Sequence, residues 1–447
     1  MEKTLRLTID KVIKNGLGLG RLADGRVVMV PRALAGEEVL IAPKKKHSHY
    51  LEAELVEILA PSPQRVSSAC PAYEECGGCD LQHAAYPEQL RIKNEILAET
   101  LVRAGLASAG GVRELLGPPL ASPRESGYRQ RIRLHVRDGV AGYYARESHR
   151  LIPIRSCPLA GEASNRLLAE LARNPHLLKL LAQSTGVELQ ENPEEKTVLL
   201  LLHQRRKERA ADRQAAQALS AELPLLAGVV FSVEGQAVGP CFGAGGEKSL
   251  GDLRMAFSLP AELCGRPLRL ALEPGGFCQV NLGQNENCIR LLLEWTGDLL
   301  PCRVLDLYCG MGNFSLPLAA RGCRVTGLDQ QRSTIRSALL NAEQAGLGER
   351  CSFSREGAAQ AVARLDAAGE HFDLILLDPP RSGCVGLIPL LAGLGASRLV
   401  YISCDPSTLA RDLAGLVAGG YRLAEARMVD MFPQTAHLES MVRLERG

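Results

Sequence analysis

A thiol and a carboxylate on separate stretches near the end of this 447-residue chain could form a nucleophile and a proton acceptor. Cys404 closes the stretch Leu399-Val400-Tyr401-Ile402-Ser403-Cys404-Asp405-Pro406, which reads as a short buried strand with a thiol at its C-terminal lip. In an open α/β sheet that lip is where ligands bind. About thirty-five residues on, Asp430-Met431-Phe432-Pro433-Gln434-Thr435-Ala436-His437-Leu438-Glu439-Ser440-Met441 reads as a polar loop with a carboxylate beside apolar residues. A thiolate adding to an electrophilic carbon, with a carboxylate to take a proton, amounts to covalent catalysis followed by general-base catalysis.

A second chemical cluster comes earlier. Cys70, Cys76 and Cys79 stand in a C-x5-C-x2-C spacing on a glycine-rich loop, which can wrap three thiolates around one site. Cys157, in Arg155-Ser156-Cys157-Pro158, is the best candidate for a fourth ligand. Four thiolates suit tetrahedral zinc or a [4Fe-4S] cluster, and spacing does not choose between them. No βαβ pattern surrounds the C-x-x-C pair, so a thioredoxin-like redox motif is disfavoured. The remaining cysteines of the fourteen read as small buried hydrophobes, not as a disulfide framework.

The third constellation is a nucleotide-type crevice. Arg303-Val304-Leu305-Asp306-Leu307-Tyr308 reads as a buried strand, Cys309-Gly310-Met311-Gly312-Asn313-Phe314 as a glycine-rich turn, and a helix follows from about Ser315. Glycines let backbone approach a ligand, and the helix start offers free N–H groups. The strand Arg324–Asp329 ends in an acid placed to accept from ribose hydroxyls. The dinucleotide pattern Gly-x-Gly-x-x-Gly is absent; the strand–Asp-x-x-x-Gly-x-Gly–helix pattern instead resembles the S-adenosylmethionine site of Rossmann-like methyltransferases. In Asp378-Pro379-Pro380-Arg381, arginine occupies the place where enzymes that methylate exocyclic nitrogens usually carry an aromatic residue.

The elements that must hold these groups follow from periodicity. Five short glycine-punctuated strands over residues 1–60 suggest a small OB-like β-barrel, and Pro61-Ser62-Pro63 a linker. An amphipathic helix is expected over 86–105, starting near Pro87. Residues 127–137 read as a strand with arginine at every second position; Arg129, Arg131, Arg133 and Arg137 would share one face. With Tyr128, Tyr143 and Tyr144 close in sequence, that face suits phosphate contact and base stacking. A strand at 197–203, a basic helix at 205–221 and a strand at 228–233 continue a mixed α/β region, and a turn at 273–281 leads into a helix around 283–296. Composition (46% apolar, 23% charged) is that of a globular protein, and no apolar run approaches the ~18 residues of a membrane span. The first ten residues alternate charge and apolarity, as a strand does and a signal peptide does not. Cytoplasm is the expected location. A net charge of +2 does not by itself point to nucleic acid.

Taken in order, the motifs resemble those of the bacterial RNA uracil-5 methyltransferases that carry an iron–sulfur cluster, over nearly the whole chain. The barrel resembles the TRAM domain of RNA-modifying enzymes. Cys-x5-Cys-Gly-Gly-Cys, Gly-Tyr-Arg, Phe-x-Gln-Val-Asn, Asp-Leu-Tyr-Cys-Gly-Met-Gly-Asn-Phe, Leu-Asp-Pro-Pro-Arg, Ser-Cys-Asp-Pro and the closing Asp-Met-Phe-Pro-x-Thr-x-His-Leu-Glu-Ser-Met complete the match. The resemblance implies a barrel over 1–62, a central α+β region with a [4Fe-4S] cluster over 63–282, and a Rossmann-like methyltransferase domain over 283–447. It implies Cys404 as nucleophile and Glu439 as proton acceptor. Cluster ligands would be Cys70, Cys76, Cys79 and Cys157, and S-adenosylmethionine contacts Gln279, Tyr308, Asn313, Asp329 and Asp378. The implied reaction is methylation of uracil C5 in RNA, with 23S ribosomal RNA preferred over tRNA, by a monomer. A non-catalytic iron–sulfur RNA scaffold and a cytosine-C5 methyltransferase are the competing readings. Two departures bear on chemistry: Asp329 stands where glutamate is usual, and Asp405, beside the nucleophile, where asparagine is common. An unpaired carboxylate there would oppose thiolate formation.

Overall fold

The computed structural model describes residues 4–233, 236–243 and 245–447. Residues 5–60 form a closed five-stranded barrel of Leu5–Ile13, Leu17–Arg21, Val27–Pro31, Glu38–Lys46 and Tyr50–Ala60. Alternation puts Leu7, Ile9, Val28, Val30, Val39 and Ile41 into its interior, and closure removes the sheet edges. At the tip between the first two strands Gly16 has φ +70°, and a Cβ there would lie 2.9 Å from the Cβ of Asp80. The barrel tip therefore presses directly on the cysteine loop.

The middle of the chain builds an eight-stranded sheet. It runs from Gly246–Lys248 through Gln236–Gly243, Leu226–Val233, Thr197–Gln204, Ser184–Asn192, Arg131–Arg137 and Val140–Tyr144 to Leu151–Pro153. The unbroken apolar run Val198–Leu202 has a simple cause: both faces are covered. Val198, Leu200 and Leu202 pack under the helices Glu162–Leu171, Pro175–Leu181 and Ala210–Glu222. Leu199 and Leu201 join a second core with Met255, Leu270, Ile289 and Leu316, which fuses this sheet to the C-terminal domain. The basic helix starts at Ala210, five residues later than periodicity suggests. Asp212 accepts the Arg209 N–H (2.8 Å) and pairs with Arg206 (2.7 Å), and this capping arrangement fixes the helix start.

The C-terminal sheet has seven strands: Arg303–Leu307, Arg324–Asp329, Cys351–Arg355, Leu374–Leu377, Arg398–Ser403, Tyr421–Val429 and Glu439–Arg446. In space they run 3-2-1-4-5-7-6, parallel through the fifth and antiparallel for the last pair. The strand order reverses between the first and fourth strands, which opens a crevice at their C-terminal ends. Glu439 is not in a loop: it opens the seventh strand, because Ser440 already pairs with Ser403.

The helix Tyr86–Arg103 leaves the central region and packs on the C-terminal sheet. Leu97 and Leu101 share a core with Leu305, Leu307, Leu413 and Ala426. From this helix Lys93 reaches Asp430, with Nζ–Oδ1 at 2.6 Å and both side chains essentially inaccessible to water. Among the described residues no helix is long and apolar enough to cross a membrane. Breaking a buried pair on one side strands a charge, which costs about 3–5 kcal/mol. Lys93→Met is expected to destabilise by that order in urea unfolding, and Lys93→Met with Asp430→Asn to recover much of the loss.

Candidate active site and thiol cluster

Cys404 sits half-buried just past the fifth strand, and Glu439 is buried at the start of the seventh. Antiparallel pairing of Ser403 with Ser440 puts them at the same end of neighbouring strands. Asp378, at the exit of the fourth strand, completes a cluster of three acidic groups. Burial, then the charges of Glu439 and Asp378, push the Cys404 thiol up to about 11, against the opposing pull of Arg381. Burial first, then Asp378, raises Glu439 well above the usual carboxylate range, and Arg381 again opposes. Burial alone takes Asp378 up to about 7. Arg381 is thus the cation of this cluster. Its loop is pinned by Asp412, which accepts from the Cys384 N–H (2.7 Å) and the Tyr401 hydroxyl (2.7 Å). Cys288, fully buried in the helix Leu282–Thr296, lies close enough to feel the charges of Glu439 and Asp378; sequence gave no signal for it.

Asp405 is not aimed at the nucleophile. It caps the helix Pro406–Ala418, accepting from Ser407 (2.9 Å) and Thr408 (3.0 Å) N–H groups, and its other oxygen meets Lys14 of the barrel at 2.8 Å. These donors hold its carboxyl below the usual range, against the opposing effect of burial.

The crevice at the switch point is built as the spacing suggests. Tyr308, Gly310 and Gly312 take positive φ of 67°, 57° and 88°, and a Cβ on Gly312 would meet Leu316 at 3.2 Å. Asp329 accepts the N–H groups of Gly310 (3.1 Å) and Gln331 (2.8 Å), so it holds the glycine turn as well as facing the crevice edge. Asn313 forms a reciprocal amide pair with buried Asn285, both bonds 2.8 Å, another partner not legible in sequence. Asp306 accepts from Ser315, and burial raises it to about 7. Gln279 lies half-buried in the turn before the helix Leu282–Thr296, whose N-cap is Asn281.

The four thiols line a separate cavity. Cys70, Cys76, Cys79 and Cys157 surround it with Tyr73, Arg129 and Tyr143. Among the described residues no three His, Cys, Asp or Glu side chains close on a point where one ion would sit. The cavity's chemistry nonetheless fits a thiolate-bound group. The Gly78 N–H points at Cys76 Sγ (3.4 Å), and Arg129 and Arg146 are the neighbouring cations. Burial, with smaller contributions from the other thiols, raises Cys70 and Cys76 and takes Cys79 up to about 12. A bound metal reverses that preference by deprotonating its thiols.

The arginine stripe divides. Arg131 is spent on buried Glu188 (2.7 Å). Arg129 lies half-buried against the rings of Tyr128 and Phe432, 5.9 Å from each centroid. Only Arg133 and Arg137 stay exposed, beside a stacked His135–Tyr144 pair with centroids 3.8 Å apart.

Comparison with known proteins agrees with this architecture. Residues 120–447 match the family described as tRNA (Uracil-5-)-methyltransferase, and residues 2–56 match the TRAM domain. The chain is 35% identical to the 23S rRNA (uracil(1939)-C(5))-methyltransferase RlmD of Pseudomonas fluorescens, over 99% of this chain and 92% of the relative. The RlmD of Pseudomonas putida is 36% identical, over 100% and 94%. The solved tRNA (uracil-54, C5)-methyltransferase of Pyrococcus abyssi, in complex with S-adenosyl-L-homocysteine, shares the fold with a TM-score of 0.72. It is 23% identical and covers 98% of this chain and 100% of its own. The chain belongs to the S-adenosylmethionine-dependent RNA (uracil-5-) methyltransferases.

Proposed function

We propose that this protein methylates C5 of a uridine in 23S ribosomal RNA, in the cytoplasm, with Cys404 as nucleophile and Glu439 as proton acceptor. The observation that carries this reading is the meeting of Cys404, Glu439 and Asp378 under one arginine, at the sheet end where the crevice opens. The ribosomal substrate rests on the RlmD relatives, which match end to end. S-adenosylmethionine supplies a methyl group on a cationic sulfur; Gln279, Tyr308, Asn313, Asp329 and Asp378 are the residues proposed to hold it. Uracil C5 is a poor nucleophile until C6 is saturated. Addition of the Cys404 thiolate to C6 makes C5 the nucleophilic end of an enolate. Once C5 carries the methyl, Glu439 takes its proton, the C5–H pair re-forms the ring double bond, and the C6–S pair leaves on Cys404. Burial and the neighbouring acids favour the protonated form of both groups and Arg381 opposes this; each acts only after giving up its proton, Cys404 as thiolate and Glu439 as carboxylate. We also propose that Cys70, Cys76, Cys79 and Cys157 hold a [4Fe-4S] cluster. Four thiols lining one cavity support a thiolate-bound group there, and the cluster rather than zinc follows the family resemblance. The transfer scheme needs no electron from it. In this division residues 1–62 form the RNA-binding barrel, 63–282 the central domain with the cluster site, and 283–447 the methyltransferase domain, to which Gln279 reaches from just before it.

Four measurements test this. Tritium release from uridine labelled at C5 is expected with 23S rRNA and not with a tRNA pool; release from tRNA alone would move the substrate. Cys404→Ala should abolish release, whereas Glu439→Gln should leave a denaturation-stable protein–RNA adduct. Alkylation of Cys404 by iodoacetamide in unliganded protein should rise about tenfold per pH unit from pH 7 to 10, because only the thiolate reacts. The curve should level near pH 11, the value its surroundings give the thiol; Arg381→Met should move it upward. Finally, anaerobically purified protein should contain about four irons per chain, and Cys157→Ser should lose most of them.

A further inference from the structure

The loop that delivers Glu439 does not hold its own shape. Gln434, five residues before it, has φ +71° without being glycine, a conformation that its surroundings must impose. Gln89 of the helix Tyr86–Arg103 accepts the Gln434 N–H at 2.8 Å, and the cysteine loop holds the other side. The N–H groups of Asp80 (3.1 Å) and Leu81 (3.0 Å) both donate to the Gln434 carbonyl. On the far side of that strained residue, Asp80 Oδ2 accepts the Ala436 N–H at 3.1 Å. Asp80 is itself fixed: Arg146 Nη2 meets its Oδ1 at 2.9 Å and donates to the Cys79 carbonyl at 3.1 Å. Gly16 of the barrel packs against both Asp80 and Ala436.

From this geometry we infer that Asp80 is a positioning residue for Glu439, and that the cysteine loop serves the reaction by setting where the C5 proton is taken. This rests on the mechanism proposed above. Asp80 touches neither substrate nor reacting atoms. Its carboxylate and backbone hold Gln434–Ala436, and the chain runs from there through His437 and Leu438 to Glu439. Displacement of a reacting group by about 1 Å can cost on the order of a hundredfold in rate. The step affected is the last: transfer of the C5 proton to the Glu439 carboxylate with expulsion of Cys404 from C6. Addition of Cys404 and methyl transfer precede that step and use atoms on the fifth strand and in the crevice.

The inference separates positioning from RNA docking. Full-length, anaerobically purified enzyme is given 23S rRNA and methyl-labelled S-adenosylmethionine in a single turnover. Free methylated RNA and label in a denaturation-stable protein–RNA complex are then followed together. Asp80→Ala is expected to keep the rate of methyl transfer and the RNA KM within about twofold, while free product appears tenfold or more slowly and the stable complex accumulates. Asp80→Asn, whose amide oxygen still accepts from Ala436, should restore most of the release rate. Should Asp80→Ala not fold or load iron, Arg146→Gln gives a smaller shift in the same direction. The inference is overturned if these variants raise the RNA KM with no gain in stable complex, or behave as wild type. Glu439→Gln runs in parallel. If it too forms no complex, the covalent mechanism fails; if it forms one and the Asp80 and Arg146 variants do not, only the positioning role fails.

Discussion

The structure depends on an ion pair that water does not reach. Lys93, from a helix that precedes the central sheet, and Asp430, at the end of the sixth strand of the C-terminal sheet, meet at 2.6 Å with no exposed surface on either. Burial pulls the lysine towards its neutral form, and Asp430 is the charge that opposes this. Lys93 Nζ also donates to the Phe432 carbonyl at 3.0 Å. Such a pair is weak evidence for stability, since two apolar residues of the same volume could do as well. Its geometric demand is stronger. Neither partner tolerates the other's absence, so the segment after Asp430 can start in only one place. The Tyr128 hydroxyl on the Pro433 carbonyl (2.9 Å) and Gln89 on the Gln434 N–H (2.8 Å) extend the same fixation along the loop.

That fixation explains how the site can hold mutually hostile groups. Burial raises the proton affinity of Cys404, Glu439 and Asp378; both acids raise that of Cys404 further, and Asp378 that of Glu439. A flexible site would relax by moving one acid into water. Here the antiparallel pairing of the fifth and seventh strands forbids it, and only Arg381 opposes the crowding. Perturbed acids of this kind gather at functional sites more often than elsewhere. The cluster is a pocket of uncompensated negative potential once deprotonated, suited to a cationic sulfur and unsuited to a second anion.

How much of this was legible beforehand varies with the physics involved. Strand–turn–helix punctuation gave the barrel, the glycine turn and the parallel strands, because alternation and glycine placement are local. The two-sided burial of Val198–Leu202 was visible as an apolar run, but its second face packs on residues up to a hundred or more positions away. The arginine stripe was read as a surface. Period 2 places Arg129 and Arg131 on one face but cannot say that Glu188 and Phe432 come to meet them. Glu439 was recognisable by motif, and its place in a strand was not, since nothing local distinguishes a polar strand start from a loop. Lys93, Asp80 and Asn285 were silent because their meaning lies wholly in partners more than twenty-five positions distant.

Asp405 shows what such distance does to a local argument. A carboxylate next to a nucleophilic thiol should raise its pKa, and the sequence gives no reason to expect otherwise. In the fold its oxygens are committed before they can act on Cys404. One accepts two N–H groups at the start of the following helix, where the helix end favours a negative charge. The other accepts from Lys14, 391 residues earlier, at the tip of the barrel. Cys404 is perturbed by Glu439, Asp378 and burial, and Asp405 is not among the groups that act on it. The barrel therefore has a role inside the methyltransferase domain as well as any towards RNA. Its first turn reaches one side of the nucleophile through Asp405 and the other side of the site through Asp80 and Ala436. A fold with its first sixty residues removed would keep every catalytic side chain and lose contacts that orient two of the segments carrying them.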